Sequence, residues 1–466
     1  MHKGRFMKAA TLGLCAALLL PSVVLAAKEK KGIPGPAKKQ LTTELDAMVG
    51  HSGTHVPGLG VEVYKNGKRA YTHFAGHRYF AEKPGQKDLP ITSKTRFRAA
   101  SVSKMFTAFT IMQLVDEGKL TLDEDVSDLL GFKLRNPNYP DTPITVRMLL
   151  SHTSSLRDGK LYAIPPTDSV QEFFTEKGKC YENGDHFAPE GQAPGQCFKY
   201  SNINYGLLGT IIEKVTGERF DKYQKSHILK QLDIKADYTP GNLSKGEFKN
   251  LGVIYQKNSN GKWDENGPWV PQIDDYQGKQ PPKDQVKVQN PDHRELDAFY
   301  DLKDYVPGTN ATIFSPQGGL RISYDELGNA LEMLVNGGKY KGKQIIRPGL
   351  LKEMMKPQWT YDPKNPNGFT YGGSIESYGL GLYQIKGSGT SRAVKDHELD
   401  LVGHTGEAYG LLSGVFMIPG TKNGFIYMMN GEALAEDDDP RSAGKYSGNY
   451  VWEENIMDAI CRNAFF

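Results

Sequence analysis

The chain has 466 residues, 57 Lys and Arg against 54 Asp and Glu (formal charge +3), and 38% hydrophobic residues. That length exceeds one minimal core and predicts two modules or a large α/β domain with insertions, and the apolar content excludes a disordered chain. Lys3, Arg5 and Lys8 are the only Lys, Arg, Asp or Glu of the first 27 residues, so the remainder carries 54 of each sign; with no long Lys/Arg run it offers no general field for nucleic acid or anionic lipid.

Residues 1–27 read as a secretory signal peptide: basic MHKGRFMK, apolar AATLGLCAALLLPSVVL, then small residues for cleavage. Cys15 follows Leu14 in the middle of the apolar run rather than a small residue at its end. A lipid-modified form is therefore not expected, nor is a stable membrane anchor. The mature chain is expected in the periplasm or outside the cell. In that oxidising setting Cys180 and Cys197 bracket the Gly- and Pro-rich YENGDHFAPEGQAPGQ, and a disulfide between them is expected. Cys461, in the apolar NIMDAICRNAFF, is expected to be a buried thiol.

After a polar linker, TTELDAMVG predicts a short helix. GLGVEVYKNGKRAYTHFAG alternates apolar and polar residues around Asn66-Gly67, a strong hairpin signal. From Ser101 to Glu117, Val102, Met105, Phe106, Phe109, Met112 and Val115 recur at helical spacing, and Gly118 ends the run. A helical, loop-rich region extends to about 235. Residues 240–308 are irregular, and their length and composition suggest a lid over a site. GGLRISYDELGNALEMLVNGG returns to an amphipathic helix, and YGLGLYQI and GLLSGVFMIPGTKNGFIYMMNG read as strands. The expected fold is α+β. An antiparallel sheet is built from both chain ends (28–105 and 309–466) and flanked by helices, with a helical portion at 106–239 and an insertion at 240–308.

Three short motifs carry chemistry. Ser101 and Lys104 stand three apart at a helix start, where their side chains share a face. A lysine desolvated by Met105 and Phe106 loses its charge easily enough to activate a serine hydroxyl. A second S-x-x-K, Ser442 to Lys445, lies in a polar Gly-rich stretch, opens no apolar helix and reads as coincidence. Tyr200 and Asn202, two apart before the apolar GLLGTIIEKV, can reach one site together. His404-Thr405-Gly406 opens the late strands, and Gly406 lets another backbone come close. His73 and His77 stand about 13 Å apart on a strand, too far to share an ion. Together with Asp396-His397-Glu398 they read as solvated residues, so no metal site is expected. A G-x-S-x-G elbow is absent.

In that order and at these separations, S-x-x-K, Y-x-N and H-T-G resemble the serine β-lactamase and penicillin-binding superfamily, most closely its class C-like branch of DD-peptidases, D-aminopeptidases and esterases. RFRAASVSKMFTA, ITVRMLLSHTSSL, YSNINYGLLGTIIEKVTG, SPQGGL, YGLGL and GHTGEAYG match family blocks, and the resemblance covers nearly the whole mature chain. It implies a β-lactamase/transpeptidase-like fold and no cofactor. Ser101 would be the acylated nucleophile, Lys104 its hydrogen-bonded partner, and Tyr200 the base or proton relay. Asn202 would orient the substrate amide, His404, Thr405 and Gly406 would line the strand-side wall, and the backbone N–H groups of Ser101 and Glu407 would form the oxyanion hole. The implied partner is a small-molecule or peptide acyl substrate, peptidoglycan fragments and β-lactams included. Two departures bear on specificity. His404 replaces a lysine common in β-lactamases, which points toward the peptidase and esterase relatives, and Ser155 replaces a turn glycine in HTSSL.

Overall fold

Asn66 and Gly67 both take positive φ, 53° and 76°. They turn strand Gly58–Lys65 onto strand Lys68–Tyr79 as the hairpin the sequence predicts. In this computed structural model, which describes residues 32–81, 85–288, 299–436 and 438–466, that hairpin joins the late strands of the chain. Gly58–Lys65 pairs antiparallel with Gly424–Met429, from Leu59 opposite Met429 to Tyr64 opposite Gly424. The nine-stranded sheet runs Trp359–Thr360, Ser377–Tyr378, Tyr383–Ile385, Leu401–Ala408, Leu411–Met417, Gly424–Met429, Gly58–Lys65, Lys68–Tyr79, Leu89–Pro90. Every pairing in it is antiparallel.

Both faces of strands Leu411–Met417 and Gly424–Met429 are covered, which is why their sequences are near-continuous apolar runs rather than alternating. Leu59, Val61, Phe425, Tyr427 and Met429 pack with Leu41, Leu45, Met457 and Ile460, that is, against helices Gly35–Asp46 and Val451–Phe465. Ile426 and Met428 face the other way, into a larger core with Leu327 and Leu331 of helix Tyr324–Val335 and with helix Ser103–Asp116. The latter helix is buried on all sides over its first ten residues, Ser103 to Met112. A helix surrounded in this way is a natural place to desolvate a charge.

The described part of 240–308 is more regular than its composition suggests. Ile254–Ser259 pairs with Lys262–Trp263, with Trp269–Ile273 and, in parallel, with Gly431–Glu432. The signal-peptide stretch 1–27 lies outside the described residues. Among the described residues no helix is long and apolar enough to cross a membrane.

The expected Cys180–Cys197 disulfide is absent: both residues are free thiols, as is Cys461. The reason lies in what holds each cysteine. Cys180 packs against the larger core. Cys197 is buried beside Phe198, which belongs to the core on the other face of the sheet. The loop between them is pinned by backbone hydrogen bonds to 152–157 instead: Ala188 N–H to Ser155 O, Gly195 N–H to Thr153 O, and Lys199 N–H to His152 O just beyond Cys197. The ordering a bridge was expected to supply comes from that strand-like seam.

Candidate active site

Ser101 sits in a single 3-10 turn, Ala100–Val102, that leads into helix Ser103–Asp116. Ala100 takes φ 46°, a left-handed conformation that costs a non-glycine residue about 1 kcal/mol. The strand Leu401–Ala408 presses against this turn. A Cβ on Gly406 would meet the Ala99 carbonyl at 2.5 Å, Ser413 Oγ at 2.5 Å and the Ser101 backbone nitrogen at 3.0 Å. Only glycine permits that approach. Ser413 Oγ, one strand over, donates to the Ala99 carbonyl at 3.0 Å and holds the seam closed.

One turn past Ser101, Lys104 Nζ lies 3.0 Å from Ser101 Oγ, 2.9 Å from Asn202 Oδ1 and 3.1 Å from the Gln317 carbonyl oxygen. The ammonium also stands 4.6 Å from the centroid of the Tyr200 ring. Burial outweighs the opposing charge of Asp158 and brings the Lys104 pKa down to about 7. The geometry then decides where a lost proton leaves its lone pair. Asn202 Oδ1 and the Gln317 carbonyl can only accept hydrogen bonds, so the two hydrogens of a neutral amine must go to them. The lone pair is left facing the Ser101 hydroxyl.

Tyr200 is held from both sides. Its phenol hydrogen-bonds with Ser101, and burial keeps its pKa well above the usual tyrosine range. Beneath it the His152 ring stacks at 4.3 Å with an interplanar angle of 29°. His152 Nδ1 accepts from the Ser201 backbone N–H at 3.1 Å, and burial holds the ring neutral. The HTSSL loop keeps a glycine-like backbone despite its serine. Ser155 takes φ 65°, and its hydroxyl donates to the Gln192 carbonyl and accepts from Asn136 Nδ2.

Asn202 faces Lys104 with its oxygen because Asp158 takes its nitrogen. Asp158 Oδ2 accepts from Asn202 Nδ2 at 3.0 Å, and Oδ1 accepts from the Ile203 backbone N–H at 2.9 Å, the first residue of helix Ile203–Thr216. One carboxylate thus caps the helix, orients the amide and favours a charged Lys104. One Nδ2 hydrogen of Asn202 is left for a substrate.

On the strand side, His404 is buried, and burial with the Lys104 charge lowers its pKa to about 3. Its Nδ1 donates to the Thr405 carbonyl, so Nε2 accepts from the Tyr378 phenol at 2.8 Å. His404 therefore offers a substrate neither charge nor a spare ring N–H. Thr405 Oγ1 accepts from the Tyr383 phenol at 3.0 Å, which leaves its own hydrogen to donate.

Ser101, Tyr200, Asn202, His404, Thr405 and Glu407 all line one cavity of about 840 Å³. Its rim comes from residues 371–375 and 439–450, and no described residue of 240–308 lines it. Ser442, of the second S-x-x-K, lies on this rim in a 3-10 turn, its hydroxyl donating to the Asp439 carbonyl at 2.7 Å. His73 is bonded to Asp46 at 2.9 Å, and His397 stacks on Phe466; neither lines this cavity.

The family description "Beta-lactamase" matches residues 41–446, most of the chain. The chain belongs to the beta-lactamase family. Protein flp of Staphylococcus aureus (strain MRSA252) is 29% identical over 221 residues, 46% of this chain and 41% of that protein, so the chain spans less than half of that relative's length. The D-amino acid amidase of Ochrobactrum anthropi SV3, solved with D-phenylalanine, superposes with a TM-score of 0.58 at 19% identity, covering 92% of this chain and 98% of the amidase. A class C beta-lactamase superposes with a TM-score of 0.57 at 17% identity, covering 92% and 96%. These two likenesses are of fold.

As a beta-lactamase family member the chain has a large antiparallel sheet with helices on both faces, as the resemblance implied. The residues that the sequence reading did not single out are Asp158, His152 and Gln317. The first two belong to the HTSSLRDG block, and Gln317 to SPQGGL. Nothing local marks them, because Gln317 acts through its backbone carbonyl and the others through partners some 44 to 52 residues away.

Proposed function

We propose that this protein is a serine hydrolase that cleaves an ester or amide bond, peptide or lactam, by carrying the acyl group on Ser101. The observation that carries this reading is the Lys104 amine with both hydrogens committed to carbonyl acceptors and its lone pair on the Ser101 hydroxyl. With a pKa near 7 that amine is substantially neutral at neutral pH. As Ser101 Oγ forms its bond to the substrate carbonyl carbon, its proton passes to Lys104. The Tyr200 phenol, kept protonated by burial, relays a proton to the departing amine or alcohol as the C–N or C–O bond breaks. The backbone N–H groups of Ser101 and Glu407 receive the oxyanion, each such donor contributing about 3–4 kcal/mol. A water then takes the acyl group from Ser101 through the same groups in reverse. In this reading Lys104 is the base and Tyr200 the relay.

The closest functional type is a D-Ala-D-Ala carboxypeptidase or esterase acting in the periplasm or outside the cell after removal of residues 1–27. The neutral, fully bonded His404 supports an esterase over a lactamase, since it lacks a lysine's charge for a lactam carboxylate. Intact-mass measurement over time with benzylpenicillin and with a fluorophosphonate tests the proposal. Ser101 must be labelled by at least one, and Ser101→Ala must abolish labelling and turnover. A persistent penicilloyl adduct marks a peptidase or a slowly turning-over β-lactam sensor, rapid loss marks a class C-like β-lactamase, and labelling by fluorophosphonate alone marks an esterase. No adduct with either reagent refutes the acyl-enzyme.

A further inference from the structure

Strand Lys68–Tyr79 ends beside a second cavity, of about 410 Å³, which shares no lining residue with the one that holds Ser101. Residues of 240–308 build one wall of it, and the outer edge of the nine-stranded sheet builds the other. Phe248, Leu251 and Val253 form an apolar floor, each less than a tenth exposed. Leu89, from the last strand of the sheet, stands at the opening and is 38% exposed. Tyr276 meets Phe248 ring to ring at 5.9 Å. Backbone hydrogen bonds sew the walls together. Val253 N–H bonds the Arg78 carbonyl at 2.9 Å; Arg96 N–H bonds the Asn250 carbonyl and Gly252 N–H the Arg96 carbonyl, both at 2.8 Å. Apolar surface held open by a fixed frame is what a small-molecule site requires, and the volume falls within the usual range of about 300–1,000 Å³.

The charges around the opening do not balance. Arg78, Lys87 and Lys249 line the cavity, and none of them is ion-paired among the described residues. Arg78 Nη1 donates to the Leu251 carbonyl at 3.0 Å, which fixes the guanidinium over the floor. Its Nε and Nη2 are solvent-accessible and bond nothing among the described residues. Burial lowers its pKa, with no carboxylate close enough to oppose that shift. Of the carboxylates on the wall, Asp274 gives both oxygens to Arg321, Oδ2 to Nε at 3.0 Å and Oδ1 to Nη2 at 2.9 Å. Asp275 Oδ1 accepts from the Gln277 backbone N–H at 3.1 Å. Asp275 alone is left against three cations. An added β-strand fits the opening badly, because the bordering strand Leu89–Pro90 is two residues long and Pro90 has no N–H to offer. We propose that this cavity binds a small aromatic carboxylate, with its ring on Phe248, Leu251 and Leu89 and its carboxylate on the Nε–Nη2 edge of Arg78. That edge carries two parallel N–H donors, the same pair by which Arg321 holds Asp274. Lys87 and Lys249 add positive charge at the mouth.

The test titrates 2-naphthoate and its neutral counterpart 2-naphthamide, followed by NMR, into the wild-type chain and into the Arg78→Met, Leu89→Glu and Tyr371→Ala variants, the last on the rim of the Ser101 cavity. In the wild type the carboxylate should bind about 10- to 100-fold more tightly than the amide, the range for a hydrogen-bonded charge. Arg78→Met should bring that ratio to near one. Leu89→Glu should weaken naphthoate by about tenfold or more, through lost ring contact and like charge at the opening. Tyr371→Ala should change neither affinity. Where loss of the bond to Leu251 unfolds Arg78→Met, read as a lower melting temperature, Leu89→Glu decides alone, since that position is 38% exposed. No saturable binding of naphthoate by the wild type, equal affinity for the two compounds, a preference that survives in folded Arg78→Met, or binding untouched by Leu89→Glu overturns the assignment. So does binding that Tyr371→Ala weakens, which would put the ligand in the Ser101 cavity. Neither compound reports on acylation, so this result and the labelling of Ser101 stand or fall separately.

Discussion

Replacing Asp158 by Asn removes one negative charge while keeping the size of the side chain. The carboxylate reaches Lys104 through one amide: Nζ to Asn202 Oδ1 is 2.9 Å and Asn202 Nδ2 to Asp158 Oδ2 is 3.0 Å. Allowing for the width of that amide, the two charges stand about 7–8 Å apart, worth about 2 kcal/mol at an effective dielectric constant of about 20. That interaction favours charged Lys104, in the direction found for Asp158 here. Its loss should lower the Lys104 pKa from about 7 by roughly 1–1.5 units. The assay is the second-order rate of fluorophosphonate labelling of Ser101 against pH. In the wild type it should rise about tenfold per pH unit below neutrality and level off above it, as the neutral amine accumulates. In Asp158→Asn the midpoint should move to lower pH, because less negative charge means an earlier loss of the proton. The plateau should also fall, by about tenfold, because an Asn at 158 has one oxygen for two donors, the Ile203 N–H and Asn202 Nδ2. A wild-type profile flat from pH 6 to 8.5, or a midpoint unmoved or raised in the variant, refutes the assignment of Lys104 as base.

Gly406→Ala puts a Cβ 2.5 Å from the Ala99 carbonyl and 3.0 Å from the Ser101 nitrogen, so labelling should slow by about 100-fold or more while Ser101 remains present, as intact mass will report. Burial raises Glu62 and Glu453 to about 7 and Glu432 to about 8. The native state therefore holds protons that the unfolded chain has released, and stability is greatest below the ordinary glutamate range and lost as pH rises toward 7–8. Each group contributes a slope of up to about 1.4 kcal/mol per pH unit. Melting temperature should fall between pH 5 and 8, and Glu432→Gln should make that fall shallower. Cys180, Cys197 and Cys461 should all react with a thiol reagent in denaturant without reductant. Any shortfall that reductant restores refutes the free-thiol assignment in the chain as isolated.

The sequence by itself determined the local features and the residue types. Asn66-Gly67 allows few alternatives to a tight hairpin. The i, i+3 spacing of Ser101 and Lys104 puts amine and hydroxyl on one helix face wherever that helix sits. The apolar runs of the late strands announce a sheet covered on both sides. The disulfide failed because it rested on sequence neighbourhood, and the fold packs Cys180 against the larger core while it buries Cys197 beside Phe198 of the other. Only the tertiary structure decided which acceptors surround Lys104, and so where its lone pair points. It alone brought Asp158 under Asn202 and His152 under Tyr200. Those properties depend on which distant groups share a buried space, where a charge answers to the groups around it rather than to water, and no spacing along the chain encodes that.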